Sequence, residues 1–148
     1  MYDDDMKAIL FTKPACVDKP GKSMNVIRVL LVDDQLTVRR GLSMRLALEP
    51  DMLVVGEAND AEEAFALTQT CSPDVVLMDV EMPAMDGIAA TQVLHTEKPS
   101  LAIVIMSIHD DVVTQTRAKT AGAFAFLSKN EATELLLTTL RQAAQQAS

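Results

Sequence analysis

The sequence predicts a three-layer α/β fold, a parallel sheet with helices on both faces, and three observations support this. From Val26 onward short continuous apolar runs recur, longer amphipathic stretches lie between them, and the two kinds alternate along the chain. A strand buried on both faces reads as an unbroken apolar run, and parallel neighbours need a crossover that a helix supplies. Such crossovers are right-handed in almost all proteins, which places helices against both sides of the sheet. With 148 residues, 49% of them hydrophobic, the chain is long enough for one ordinary core.

The first run, Val29 to Val32, leads to a helical stretch from Leu36 to Leu48. The second, Leu53 to Val55, precedes one from Ala61 to Thr70, where Asn59 or Asp60 can cap the free amides of the first turn. The third, Val75 to Met78, is followed by Gly87 to Thr96 behind Asp86, and the fourth, Leu101 to Met106, by Asp111 to Ala121 behind Asp110. The fifth, Phe124 to Leu127, gives way to Glu131 to Gln146, with Asn130 as its expected cap. The result is a doubly wound (βα)5 order, without internal repeat or low-complexity segment.

Residues 1–25 break this pattern. They carry Asp3-Asp4-Asp5, two prolines, Gly21 and alternating charge without a period, so a flexible extension is expected there and the folded domain from 26 to 148. The apolar run Ala8 to Phe11 is far below the ~7 to 15 residues of an export signal, and no stretch is long enough for a membrane span. Cys16 and Cys71 read as two isolated thiols of a reducing compartment, with no assigned role. A formal charge of −8 would repel a phosphate backbone, so direct nucleic-acid binding by this chain is not expected.

Four of the five apolar runs stop at or next to residues suited to phosphoryl chemistry: Asp33-Asp34, Asp79, Ser107 and Lys129. In a parallel sheet these strand ends share one edge, where open α/β folds place their ligands. Carboxylates gathered there repel by on the order of 4 kcal/mol per close pair at an effective dielectric of ~20, so the cluster needs a cation. Oxygen ligands select a hard one, and Mg²⁺ fits because it takes one or two carboxylates plus a phosphoryl oxygen. Any one of these acids alone would read as a helix cap or a loop charge. The Lys and Ser at the same edge tip the balance, since an ammonium can neutralise phosphoryl charge and a hydroxyl can donate to a phosphoryl oxygen.

Over essentially all of Val26 to Ser148 the sequence resembles the receiver domains of two-component response regulators. Val29-Leu30-Leu31-Val32-Asp33-Asp34 resembles the family's first strand with its acidic pair, and Asp79-Val80-Glu81-Met82-Pro83-Ala84-Met85-Asp86-Gly87 its phosphoacceptor strand end and loop. Ser107 and Lys129 fill the remaining signature positions. The Ser-Ile-His-Asp-Asp stretch and Gly122 to Lys129 are similar to the nitrate-response and quorum-sensing, LuxR-like type. Departures are Asn130 where many receivers have proline, so no cis peptide is carried over there, Ile108 for a smaller residue and Ala125 for a frequent glycine.

The resemblance implies the flavodoxin-like strand order 2-1-3-4-5 and a switch whose only chemistry is its own phosphorylation and dephosphorylation. Asp79 would be phosphorylated by a sensor histidine kinase in the cytoplasm, with Asp34, Asp79 and the backbone carbonyl of Glu81 on Mg²⁺ and Asp33 acting mainly through water. Lys129 would pair with Asp79 and the phosphoryl group, Ser107 would bond it on activation, and Phe126 would be the aromatic switch, although a Phe in a strand run is as readily core. The fourth helix, fifth strand and fifth helix would form the output face, with a homodimer through it among the expected partners. Glu81 and His109 are expected to flank the line of water attack and set phosphoryl lifetime, whereas His95 reads as a solvent-facing helix residue. The LuxR-like type usually carries a C-terminal helix-turn-helix, so transcription control through a missing or separate DNA-binding module is the expected output, with a stand-alone receiver that docks on protein as the alternative. A haloacid-dehalogenase-type phosphohydrolase would place its nucleophile before the acidic pair. A flavodoxin-type flavin carrier would need a hydroxyl-rich loop where Asp33-Asp34-Gln35 stands.

Overall fold

The computed structural model describes Cys16 and residues 26–147. The rest of the expected extension, residues 1–15 and 17–25, lies outside the described residues. The elements alternate as β1 (Ile27–Val32), α1 (Leu36–Leu46), β2 (Met52–Ala58), α2 (Ala61–Cys71), β3 (Val75–Asp79), α3 (Gly87–Glu97), β4 (Ala102–Ser107), α4 (Val112–Ala121), β5 (Ala125–Ser128) and α5 (Thr133–Ala147). The strands form one sheet in the order β2-β1-β3-β4-β5. Every pairing is parallel, so the fold is the flavodoxin-like α/β sandwich.

Period-two alternation along each strand divides the core in two. Leu30, Val32, Val76, Met78, Ile103 and Ile105 face one side, where they pack with Ala64 and Leu67 of α2, Leu94 of α3 and Ala118 of α4. Val29, Leu31, Val75, Leu77 and Val104 face the other, against Leu46 of α1 and Leu136, Leu137 and Leu140 of α5. Burying an aliphatic side chain of this size contributes about 1.5–3 kcal/mol, so the central strands β1, β3 and β4 anchor the domain. No helix among the described residues is long and apolar enough to cross a membrane.

Several local expectations need correction. Asp60 and Asp86 cap α2 and α3, accepting from Glu63 N and Ala89 N at 2.8 Å each. The cap of α4 is Asp111, not Asp110, and its carboxylate accepts from both the amide and the hydroxyl of Thr114. Asn130 caps nothing. Its amide bonds the Ser128 hydroxyl at 3.2 Å, and α5 begins only at Thr133, after a short loop.

Cys16 and Cys71 are not isolated thiols. They form a disulfide between positions 55 residues apart, with Cα atoms separated by 5.2 Å. Cys71 ends α2 inside the core, and Cys16 packs against the same apolar cluster. Among the described residues no cysteine is free, so unpaired thiols are no argument for a reducing compartment.

Candidate functional site

The carboxyl ends of β1, β3, β4 and β5 bring the predicted residues together. Asp33 follows β1 and is held by its amide to Ala58 O at 3.0 Å, while Asp79 and Ser107 end β3 and β4. Lys129 follows β5, and its amide bonds Ser107 O at 2.9 Å, which ties the lysine to the serine strand. One carboxylate oxygen from each of Asp33, Asp34 and Asp79 lies within 4.8 Å of the others. Asp33 and Asp79 are buried and Asp34 is exposed, so the cluster opens to solvent on the Asp34 side.

Lys129 Nζ lies 2.9 Å from Asp33 Oδ2 and 3.0 Å from Asp79 Oδ1. The contact to Asp33 is a hydrogen bond. That to Asp79 is an ion pair outside hydrogen-bond geometry, which leaves the buried Asp79 Oδ1 without a donor. Asp33 is the more committed acid, since its other oxygen accepts from Gln35 N at 2.8 Å.

Burial pushes the Asp79 carboxyl up to about 6. The Lys129 ammonium pulls it down, and the charges of Asp33 and Glu81 push it further up. Burial opposes the charge on Lys129 as well, but its two carboxylate partners hold it above the usual lysine value. One ammonium against three carboxylates leaves the site net negative. Three convergent oxygen ligands, one with a lone pair unused by any hydrogen bond, fit a hard divalent cation such as Mg²⁺.

The neighbouring groups surround this edge. The Ser107 hydroxyl is buried, accepts from His109 N at 2.9 Å and donates to Glu81 Oε2 at 3.5 Å. His109 Nε2 stands 3.9 Å from the same carboxylate oxygen, so Glu81, Ser107 and His109 share one wall. That wall borders an open groove of about 620 Å³ which Asp34 also lines. Phe126 is half-buried and turns toward the α4 side of the sheet, where it lines a groove of about 420 Å³ with α4 residues such as Gln115 and Lys119. His95 is exposed as expected, yet its ring closes over Gly122, where a Cβ would come within 2.4 Å of it.

Two supports of the site had no role assigned from the sequence. Gly87 starts α3 directly under the acceptor, and a Cβ there would fall 1.8 Å from the carbonyl oxygen of Asp79. Only the bare glycine lets α3 approach so closely, and its amide bonds Val80 O at 2.9 Å. Arg39 of α1 donates to the Asp33 carbonyl and pairs with Glu57 at 3.2 Å, fixing the acidic loop to the edge of β2. On a helix rich in arginine, nothing in the pattern singles Arg39 out.

A flavodoxin-like sheet with an acid triad, two of its members buried, and a lysine at its carboxyl edge defines the class. A family model described as the response regulator receiver domain matches residues 29–141, and the chain belongs to that family. It is 35% identical over 121 residues to the transcriptional regulatory protein DegU of Brevibacillus brevis, covering 82% of this chain and 51% of that one. With the nitrate/nitrite response regulator protein NarL of Escherichia coli (strain K12) it shares 37% over 119 residues, covering 78% and 54%. A solved LuxR-family two-component response regulator from Aurantimonas sp. SI85-9A1 superposes with a TM-score of 0.78 at 31% identity, covering 81% of this chain and 86% of that one. The chain thus spans about half the length of these two curated relatives.

Proposed function

We propose that this domain is the phosphoacceptor switch of a two-component phosphorelay, with Asp79 as the residue modified and a sensor histidine kinase as donor. The observation that carries the reading is the buried Asp79 Oδ1, which has no hydrogen-bond donor although Lys129 lies 3.0 Å away. An oxygen left this way is a nucleophile or a metal ligand in waiting, and burial of such a group for structural reasons alone would cost stability.

In this reading an Asp79 oxygen attacks the phosphorus of a phosphohistidine, the P–N bond breaks, and an aspartyl phosphate forms. Asp34, Asp79 and the Glu81 carbonyl would hold Mg²⁺, with Asp33 acting mainly through water, and the bound ion would supply charge neutralisation for the phosphoryl group. Lys129 is placed to pair with the phosphoryl group once the Asp79 charge is shared with it. The Ser107 hydroxyl exchanges its long bond to Glu81 for one to the phosphoryl group, which draws the 107–111 loop inward and opens room for Phe126 beside α4. Glu81 and His109 stand where they can hinder or orient the hydrolytic water, so they set how long the signal lasts.

The output reading is transcription control through a missing or separate DNA-binding module, supported by the printed name of one relative as a transcriptional regulatory protein. A homodimer through α4, β5 and α5 belongs to the same reading. A cytoplasmic location follows from it too, because the ATP that charges the kinase is there. The domain itself acts on no external substrate.

Acetyl phosphate with Mg²⁺ should add one phosphoryl group to the wild-type chain, read by intact mass spectrometry, and none to Asp79→Asn. Labelling of that variant at the wild-type level would overturn the assignment.

A further inference from the structure

The phosphorelay reading leaves the bridge between Cys16 and Cys71 without a role. Its place in the fold is specific. α2 starts behind Asp60 at the acidic edge and ends at Cys71, so the bridge lies at the opposite edge of the sheet from Asp33 and Asp79. Cys71 is 2% exposed, its carbonyl is held by Arg28 Nη2 at 2.6 Å, and Cys16 is only half-buried.

The neighbouring strand packs beside the Cys71 sulfur. The β1–β2 register shifts between Val29 and Leu30, opposite Val54 and Gly56. A Cβ at Gly56 would be tight only against Leu30 Cδ1, at 3.3 Å, and would meet Cys71 Sγ in ordinary contact at 3.7 Å, so the sulfur is packed against β2 at this irregularity. Cys71 is thus built into the core while Cys16 is only half-buried, so an attacking thiolate meets the Cys16 end of the bond first.

We propose that Cys16 and Cys71 are a reversible oxidation site, closed by a peroxide or by a small-molecule disulfide and reopened by thiols, that sets the stability of the domain without entering its phosphoryl chemistry. Closure by hydrogen peroxide takes two electrons and two protons from the thiols and yields two waters. Reopening begins with a glutathione thiolate attacking Cys16 Sγ. The Cys71 thiolate leaves and takes a proton, and a second glutathione resolves the mixed disulfide to give oxidised glutathione. Reversibility rests on the cytoplasmic phosphorelay reading, because cytosolic disulfides are transient and redox-sensing. The bridge itself does not rest on it.

The test counts N-ethylmaleimide adducts on denatured full-length chain by intact mass, after equilibration of the folded protein with mixtures of reduced and oxidised glutathione. No adduct is expected at the oxidising end, two at the reducing end, and the same intermediate values from either direction. Urea unfolding of the two end states should show the reduced chain unfolding with an equilibrium constant roughly a thousandfold larger, given the 55-residue separation of the pair. Cys16→Ser, which leaves the buried Cys71 in place, should behave like the reduced chain under both conditions. Two adducts after peroxide, a bridge that survives millimolar reduced glutathione, or a urea midpoint indifferent to reduction would overturn the proposal. Acetyl phosphate labelling of the same samples separates the two readings. Absence of labelling in both redox states counts against the phosphoacceptor, whereas labelling in one state only would overturn the claim that the bridge stays out of the phosphoryl chemistry.

Discussion

Replacing Asp79 by asparagine should make the metal-free domain more stable, by an amount that depends on pH. The carboxyl is 4% exposed, and burial lifts it from the ordinary 3.8 to about 6. Between those two values the unfolded chain has released the Asp79 proton while the folded chain keeps it. Wild-type stability therefore falls as pH rises through that window and levels off above it. The amide, similar in shape and uncharged, has no such slope. The stability gap between Asp79→Asn and wild type should grow from roughly 1–2 kcal/mol near about pH 5 to roughly 3 kcal/mol near about pH 8. Urea unfolding of both proteins in a chelator measures it. Millimolar Mg²⁺ should shrink the gap, because the cation binds the folded wild-type triad and not the unfolded chain. A variant no more stable than wild type near pH 8, or a gap that does not change with pH, would refute the reasoning that Asp79 is an ionised group held against its solvation.

Gly87→Ala should cost roughly 3 kcal/mol in urea unfolding, because the added methyl meets backbone and not a movable side chain. A loss below about 0.5 kcal/mol would show that α3 can retreat from Asp79 freely. His109→Ala or Glu81→Asn should change the hydrolysis rate of the aspartyl phosphate by roughly tenfold, about 1.4 kcal/mol in barrier, with a smaller effect on phosphotransfer. Single-turnover decay reads this directly, and unchanged lifetimes in both variants would place the two side chains off the line of attack.

The fold was legible in the sequence because the central strands β1, β3 and β4 are largely buried on both faces and so write apolar runs. The second strand was the least well read. Met52–Ala58 continues three residues past Val55 through Gly56 and Glu57, which interrupt the apolar pattern because β2 lies at the sheet edge, where Glu57 can face solvent and pair with Arg39. The convergence of Asp33, Asp34, Asp79, Ser107 and Lys129 was also legible, since parallel topology alone brings strand ends to one edge. Adjacent aspartates at 110 and 111 are equivalent in pattern, and only the backbone path decides that Asp111 caps α4. The pairing of Cys16 with Cys71 left no trace. Two cysteines so far apart form no framework, and the packing that joins them belongs to the folded chain.

The glycine seat beneath the acceptor has a mechanical consequence. On one flank Gly87 locks α3 against the Asp79 carbonyl, so strand end and helix behave as one stiff body. On the other flank α4 is moored by little more than Ala118 and Ala121, with Val112 and Val113 standing 76% and 67% exposed. A load applied at Asp79 meets a wall on one side and a hinge on the other. The compliance of the domain is thus directional, and the modification proposed at Asp79 is expected to act by way of β4 and α4, with the α3 side the stiffer of the two.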